Sequence, residues 1–435
     1  MNKTLNNNTF NVQNEIETKH KALLICILFP KMGKGEAEVH IKELESLVDT
    51  MDAETAGTMI VPLKKRNAKF FVGSGKAEEI TELARKLKAD LIIFDNELSP
   101  AQQRNLEELS GKAVIDRHEV ILDIFAGRAT TREAVLQVGL ARMEYSLPRL
   151  TRAWTHLSRQ RGGSKGTRGE GETQLEVDRR IVMKKITHLK KELLKVQLHR
   201  NTLRKQRSTL GIPTGALVGY TNAGKSSLLN SLTGADVFVE NKLFATLDPT
   251  TRKVTLPGGN KILLTDTVGF IRKLPHDLVD AFRSTLEETV LSDFLIHVLD
   301  LSHPEVEEQY RITLEVLNEL GAGEKPSILI FNKIDLYIDN TDSLRIELDN
   351  PEALYISAKT GQGLEKVFEK VEELLNKDKQ VVSLLIPTDR FDLISMIHRE
   401  GTILEEDYRD TGSIIKARIP VKIYNKMEKY ITDLI

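Results

Sequence analysis

The sequence predicts an α/β protein in several parts: an N-terminal α/β domain, a long antiparallel helical hairpin, a larger α/β domain and a small α/β C-terminal domain. Three observations predict it. Short apolar runs of strand length alternate with amphipathic stretches toward both ends of the chain. Two consecutive segments between them carry sustained heptad-like spacing. In the larger domain a short apolar strand runs into a glycine-bracketed turn and then a helix.

The elements follow in order. Residues 1–20 are a polar, Asn-rich leader without the basic-then-apolar pattern of a secretory signal. Ala22–Phe29 is a continuous apolar run of strand length, the longest in the chain, and far short of the roughly 20 residues a membrane span needs. Glu36–Met51 carries Val39, Ile41, Leu44, Leu47 and Val48 at helical spacing. Met59–Leu63, Asp90–Asp95 and Ala113–Asp116 are further strands, separated by helices such as Lys76–Lys86 and Pro100–Ser110. Such alternation implies a mostly parallel sheet covered on both faces, over residues 21–125.

The period then changes, over residues 126–210. Leu136, Leu140, Met143, Leu147, Leu150, Trp154 and Leu157 step by four and three, and Val182, Ile186, Leu189, Leu193, Val196 and Leu203 keep the rhythm. Two helices packed along one seam are expected, with Pro148 kinking or restarting the first. Gly162–Glu172 between them is too glycine-rich to continue a helix and forms the tip. Residues 211–379 return to alternating strands and helices, and 380–435 form the small tail, with Val382–Ile386 and Ile414–Ile423 as its apolar stretches.

Composition narrows the class without naming a function. The chain has 435 residues, 40% hydrophobic and 29% charged, with a formal net charge of −1, which fits an ordinary globular protein. The single cysteine, Cys26, lies in the first strand and cannot form an internal disulfide, so the cytoplasm is the expected compartment. The histidines are scattered, and no Cys/His spacing marks a structural zinc site.

The chemistry is carried by motifs. Ala216-Leu217-Val218 leads into Gly219-Tyr220-Thr221-Asn222-Ala223-Gly224-Lys225-Ser226 and a helix from about Ser227, the phosphate-loop pattern in the strand-to-helix context it requires. Gly219 and Gly224 let backbone N–H groups turn toward phosphates, Lys225 supplies charge to the β and γ oxygens, and Ser226 takes one position on Mg2+. Leu263-Leu264 then enters Thr265-Asp266-Thr267-Val268-Gly269, in which Asp266 holds Mg2+ through water and the Gly269 amide reaches the γ-phosphate. Asn332-Lys333-Ile334-Asp335 and Ser357-Ala358-Lys359 each follow an apolar strand. A carboxylate at Asp335 accepts from the two donors on the guanine edge, which adenine lacks, and the Ala358 amide can donate to guanine O6. The nucleotide expected is therefore GTP. Within Leu243–Thr250, Phe244-Ala245-Thr246-Leu247-Asp248 reads as the first switch, with Thr246 as the second Mg2+ ligand and Thr250 and Thr251 close by. Lys225, Thr246 and Gly269 are the expected catalytic groups.

Together these motifs resemble the HflX family of ribosome-associated GTPases, from about Lys21 to the C-terminus. The most specific stretches are Phe94-Asp95-Asn96-Glu97-Leu98-Ser99-Pro100-Ala101-Gln102-Gln103, Asp123-Ile124-Phe125, and Gly166-Thr167-Arg168-Gly169 continuing to Gly171-Glu172-Thr173-Gln174-Leu175-Glu176. Glu170 stands in the tip where the family commonly has proline. The resemblance implies a phosphate-loop GTPase domain, binding to the large (50S) ribosomal subunit, hydrolysis stimulated by that subunit, and separation of ribosomal subunits under stress. The residues agree at one place. From Asp178 to Arg207 there are eleven Lys or Arg against two acids, and Arg149, Arg152, Arg159, Arg161, Lys165 and Arg168 extend the positive field into the tip. Arg159, Arg161, Lys165, Arg168, Arg179 and Arg180 are the expected contacts to ribosomal RNA.

Two departures bear on catalysis. Phe270 stands after Gly269, where many small GTPases place a water-orienting Gln, so intrinsic hydrolysis should be slow. Asn222 offers a place for K+ to act as an arginine finger does, and His276 reads as a switch-surface residue. Gly73-Ser74-Gly75-Lys76 lacks the spacing of a second phosphate loop and reads as a turn before a helix. Two other functions are open: a GTP-dependent 50S-docking assembly or dormancy switch, which shares every one of these motifs, and an RNA-remodelling ATPase centred on the first domain, which the GTP preference expected from Asp335 separates from the other two. A monomer is expected, since the heptad segments can satisfy each other.

Overall fold

The computed structural model describes residues 19–30, 32–150, 174–208, 212–234, 242–273, 283–336, 346, 349–377, 379–409 and 412–432. The chain divides into two units, Met1–Asp123 and Ile124–Ile435. The first contains β1 (Lys21–Leu28), α1 (Lys34–Thr50), β2 (Glu54–Pro62), α2 (Ser74–Lys86), β3 (Leu91–Phe94), α3 (Pro100–Ser110) and β4 (Ala113–Asp116), and α4 (Arg117–Arg128) begins in it. Its sheet has the order β2-β1-β3-β4 and every pairing is parallel. Side chains alternate across a strand, yet Ala22 through Ile27 are all at most 1% exposed; both faces of β1 are therefore covered, as its unbroken apolar run predicts. α3 starts where Ser99 and Gln102 cap each other and Pro100 takes the first turn, and it stops at Gly111 in the left-handed region.

In the second unit, α5 (Arg132–Ser146) is capped by Thr131, whose hydroxyl accepts from the Ala134 N–H. A 3-10 turn, Leu147–Leu150, holds Pro148 and ends the helix. The 35-residue α6 (Gln174–Ser208) packs on α5. Glu133 pairs with Arg200 and Glu144 with Lys190, so the numbering runs in opposite senses and the two helices are antiparallel. On α6 the predicted stripe holds at Val182, Ile186, Leu189, Leu193 and Val196, each less exposed than its neighbours on the outer face; the Leu203 side chain, and Trp154 and Leu157 of the facing stripe, lie outside the described residues. On α5 it does not hold in full. Leu140 is buried, but the other buried positions are Ala134, Gln137, Val138, Ala141 and Tyr145. Heptad spacing describes a narrow seam between two helices, whereas the buried positions of α5 cover a wider arc.

The larger sheet, β10-β9-β8-β5-β7-β6, comprises β5 (Thr214–Val218), β6 (Thr250–Thr255), β7 (Lys261–Asp266), β8 (Phe294–Asp300), β9 (Ser327–Asn332) and β10 (Leu354–Tyr355). Only β6 is antiparallel. Helices α7 (Lys225–Thr233), α8 (Arg283–Leu291), α9 (Val306–Glu319) and α10 (Leu364–Asn376) accompany it. Leu217, Phe294, Ile296, Val298 and Ile330 form one core and Ala216, Val218 and Leu295 another, so the central strands are buried on both faces. A three-stranded antiparallel sheet follows, β11 (Lys379–Ile386), β13 (Gly412–Pro420) and β12 (Thr402–Arg409) in that order, with α11 (Phe391–Glu400) and α12 (Val421–Met427). Ile414–Ile423, one apolar stretch in sequence, is split at Pro420, where the strand ends and α12 begins.

Among the described residues no helix is long and apolar enough to cross a membrane.

Candidate functional site

The site forms at the C-terminal ends of β5, β7 and β9, where loops leave the sheet. The loop after β5 is shaped by its glycines. Gly219 has φ +147°, and a Cβ there would lie 2.2 Å from the Val298 carbonyl oxygen. Gly224 has φ +95°, and its Cβ would lie 2.2 Å from Asn332 Nδ2. Any side chain at either position collides with the sheet or with the N-K-x-D asparagine. The chain after β7 closes on this loop from the other side. Thr221 N–H donates to the Phe270 carbonyl (2.7 Å) and Phe270 N–H to the Gly219 carbonyl (3.1 Å).

Lys225 is buried and turns back on its own loop. Its Nζ donates to the carbonyls of Gly219 (3.1 Å) and Tyr220 (2.8 Å). Burial pulls its pKa down to about 8, against the opposing charge of Asp266. Three oxygens converge beside it. Ser226 Oγ donates to Asp266 Oδ2 (2.6 Å), Thr246 Oγ1 donates to the same oxygen (2.8 Å), and the two hydroxyls are 2.8 Å apart. Burial pushes the Asp266 carboxyl up, opposed by Lys225 and by the hydrogen bonds from Ser226, Thr246 and the Thr267 backbone. The other carboxylate oxygen, Oδ1, is buried with no hydrogen-bond partner among the described residues. Two hydroxyls gathered on a carboxylate whose other oxygen is unsatisfied are hard oxygen donors that suit a divalent cation such as Mg2+. Of the three neighbouring threonines only Thr246 joins this group; Thr251 pairs with Thr265 across β6 and β7.

The base-side motifs are tied to the same loop. Asn332 donates from Nδ2 to the Ala223 carbonyl (2.9 Å) and accepts at Oδ1 from the Ala358 N–H (2.9 Å). Ser357 Oγ donates to Asp335 Oδ1 (2.7 Å), which fixes a carboxylate that is otherwise exposed. Lys333, at φ +66°, reaches Asp300 at 2.7 Å. Ile334 begins a short 3-10 turn, and Lys359 is exposed beyond Ala358.

Most of the predicted residues are brought together. Thr221, Asn222, Gly224, Lys225, Ser226, Phe244, Ala245, Thr246, Thr267 and Gly269 line one cleft. Tyr220 lies beneath it, its hydroxyl accepting from the Arg272 N–H; Ala223, Leu247 and Val268 are buried. Asp248 is not in the cleft: its carboxylate is bound by Thr130 and Thr131. Sequence reading missed these two threonines and Lys242, which also lines the cleft; it singled out Phe125 only for the resemblance and not for its ring, which stands edge-on to Phe244 at 4.7 Å. It also missed His297, 4% exposed on β8, whose imidazole burial holds down at about 3. Of the expected RNA contacts, Arg179 and Arg180 are exposed on α6; Arg159, Arg161, Lys165 and Arg168 lie outside the described residues, as does His276.

In the first unit, Gly73 caps α2 and Ser74-Gly75-Lys76 form its first turn, as expected of a turn before a helix. Cys26, His40 and Asp95 approach one another there, all buried. Arg117 is bound to Asp95 (2.8 Å) and to Glu43 (3.1 Å), so a guanidinium already occupies the cationic position of that group.

A mostly parallel sheet that feeds a glycine-bracketed loop onto a buried lysine, with N-K-x-D and S-A-K loops bound to it, defines a phosphate-loop GTPase. Comparison with known proteins agrees. Family models match as GTP-binding GTPase N-terminal over residues 38–126, GTP-binding GTPase middle region over 128–207 and 50S ribosome-binding GTPase over 214–333. The GTPase HflX of Akkermansia muciniphila is 47% identical over 435 residues, covering 98% of this chain and 100% of its own. That of Caldanaerobacter subterraneus is 44% identical, covering 95% and 94%. A crystal structure of a GTP-binding protein from Sulfolobus solfataricus in complex with GDP is 27% identical, covers 83% of this chain and 99% of its own, and superposes with a TM-score of 0.43. The chain belongs to the HflX family of GTPases.

Proposed function

We propose that this GTPase binds the large ribosomal subunit and, in its GTP state, separates ribosomal subunits, with hydrolysis stimulated by the subunit. The observation that carries the nucleotide half is the convergence of Ser226, Thr246 and Asp266 beside Lys225. It joins the phosphate loop, the first switch and the D-x-x-G strand at one point, so a γ-phosphate can report its presence to both switches. Ser226 and Thr246 would hold Mg2+ directly and Asp266 through water, and the ion would supply charge to offset that of the β and γ oxygens. Lys225 exchanges its two carbonyl partners for those same oxygens, and the Gly269 amide reaches the γ-phosphate. Asp335 and the Ala358 amide read guanine. Phe270 is 1% exposed and apolar, so it cannot orient water, which leaves that role to a rearranged switch or to a group supplied by the subunit. The Asn222 side chain on the cleft rim is proposed to hold K+; equal hydrolysis rates in Na+ and K+ would remove this element.

The ribosomal half rests on the family and on α6, where Arg179, Arg180, Lys184, Lys185 and Lys191 are exposed along one 35-residue helix. A long cationic rod of this kind suits phosphate contacts on structured RNA. The parts divide as a leader at 1–20, an α/β subdomain at 21–125, a helical arm at 126–210, the GTPase domain at 211–379 and a C-terminal domain at 380–435. The protein acts as a cytoplasmic monomer under stress.

The test is sedimentation of intact ribosomes with the protein and a non-hydrolysable GTP analogue, beside GDP and Lys225→Ala. Free subunits, with protein on the large one only in the analogue, is the expected result. Intact ribosomes carrying the protein would make it a docking switch. Protein left at the top of the gradient would overturn the ribosomal assignment.

A further inference from the structure

The first switch is held on both sides of Thr246 by groups outside the nucleotide cleft. On one side, the Phe244 N–H donates to Thr221 Oγ1 (2.9 Å), and its ring, 2% exposed, meets the edge of Phe125 near the end of α4. On the other side stands Asp248, two residues past Thr246. Its Oδ2 accepts from the Thr130 N–H (3.3 Å), the Thr130 hydroxyl (2.8 Å) and the Thr131 N–H (3.1 Å), and its Oδ1 accepts from the Thr131 hydroxyl (2.5 Å). Thr131 is the N-cap of α5, the first helix of the arm, and its hydroxyl also accepts from Ala134 N–H (3.2 Å). The carboxylate thus sits at the positive end of a 15-residue helix and is met there by four donors. Leu247 between Thr246 and Asp248 is 2% exposed, which leaves little freedom for one to move without the other.

We propose that Asp248 is a positioning residue: bound to Thr130 and Thr131 at the base of the helical arm, it holds Thr246 where it can ligate Mg2+ in the GTP state. The arm and the first switch then share one equilibrium. A displacement of the start of α5 loosens Thr246, and closure of the switch on nucleotide fixes the start of α5. This inference rests on the reading of Thr246 as a metal ligand.

The experiment is a Mg2+ titration of binding by the full-length protein to a fluorescent non-hydrolysable GTP analogue and, separately, to fluorescent GDP. Groups that orient a ligand typically matter by about 10- to 100-fold in metal affinity. Asp248→Ala should therefore raise the Mg2+ concentration for half-maximal analogue binding by about ten-fold and leave GDP binding unchanged. Asp248→Asn, which keeps an accepting oxygen but loses the charge, should fall between. Thr130→Ala combined with Asp248→Ala should be no worse than Asp248→Ala alone. A loss of GDP and analogue binding in step, with a fallen melting temperature, would mean a merely structural contact and overturn the proposal. Thr246→Ala separates the two claims. If it shifts the Mg2+ dependence and Asp248→Ala does not, the positioning role is refuted while the ligand stands. If neither shifts it, the ligand assignment fails and takes the positioning role with it.

Discussion

Replacing Gly219 with alanine should disable the nucleotide site, and the size of the effect can be worked from the structure. The new Cβ would lie 2.2 Å from the Val298 carbonyl oxygen, where ordinary contact begins at 3.4 Å. Val298 cannot retreat cheaply: it is 0% exposed in β8, which is paired on one side with β5 and on the other with β9. Forcing a methyl into such packing costs about 1–3 kcal/mol. Holding alanine at φ +147° adds roughly another 1–3 kcal/mol. The loop therefore rearranges rather than bear the strain, and affinity for fluorescent GDP should fall by upwards of about 100-fold, at ~1.4 kcal/mol per tenfold. Gly234→Ala is the matched control in the same domain. It also has positive φ, +63°, but nothing lies within 4 Å of its Cβ, so it bears only the left-handed penalty of about 1–2 kcal/mol. Both variants should be compared for GDP affinity and thermal midpoint. Equal losses, or normal binding by Gly219→Ala, would refute the argument that the Val298 carbonyl dictates the glycine.

Two further outcomes follow from single side chains. His297 has its pKa lowered from 6.5 to about 3 by burial, with the Lys225 charge adding to the effect, so the folded protein keeps it neutral while the unfolded chain protonates below 6.5. Its contribution is whole above that value and is lost as pH falls from 6.5 toward 3, by at most ~1.4 kcal/mol per pH unit. Thermal midpoints of His297→Phe, which keeps a ring beside Tyr310, should fall less steeply with acid than those of the wild type, and parallel slopes would sink the assignment. Asp335→Asn removes the acceptor for the guanine 2-amino group and places an amide donor there. GTP affinity should drop by ~2–3 kcal/mol, or roughly 100-fold, while a xanthine nucleotide, with a carbonyl at that position, should gain; competition binding reads both, and an unchanged preference for guanine would contradict the reading of Asp335.

What was legible in the sequence is what local chemistry dictates. α3 announces itself by Ser99, Pro100 and Gln102 at its start and Gly111 at its end, and the structure uses each of them. β1, β3 and β4 are short apolar runs buried in a parallel sheet, and nothing else of that length fits. The phosphate loop is legible for the same reason, since its glycines answer to contacts that no other residue tolerates. β12 was not legible: Thr402–Arg409 carries Glu405, Glu406 and Asp407 in succession, without apolar alternation, because only one partner strand covers it at the edge of its sheet. The split at Pro420 was available in principle, since a proline with extended backbone can start a helix but not continue a ladder.

The contacts that sequence could not supply are polar pairs between distant segments, and they are the ones that join the parts into a switch. Asp248 and Thr131 are 117 positions apart, and Arg200 reaches Glu133 across 67 and Glu288 across 88. None of these residues stands out locally: Thr131 reads as a helix cap, Glu133 as a first-turn acid and Arg200 as a break in an apolar stripe. Arg200 nonetheless binds α5 and α8 at once, with 22% of its side chain exposed. A pair of surface charges would contribute little, but a guanidinium shared by two carboxylates between packed elements fixes their geometry. The arm is thus tied to the GTPase domain at two independent points, through Asp248 at the first switch and through Arg200 at α8. On the proposal that Asp248 positions Thr246, displacement of the arm that breaks the Asp248 attachment loosens Thr246, whereas displacement that keeps it carries the first switch along.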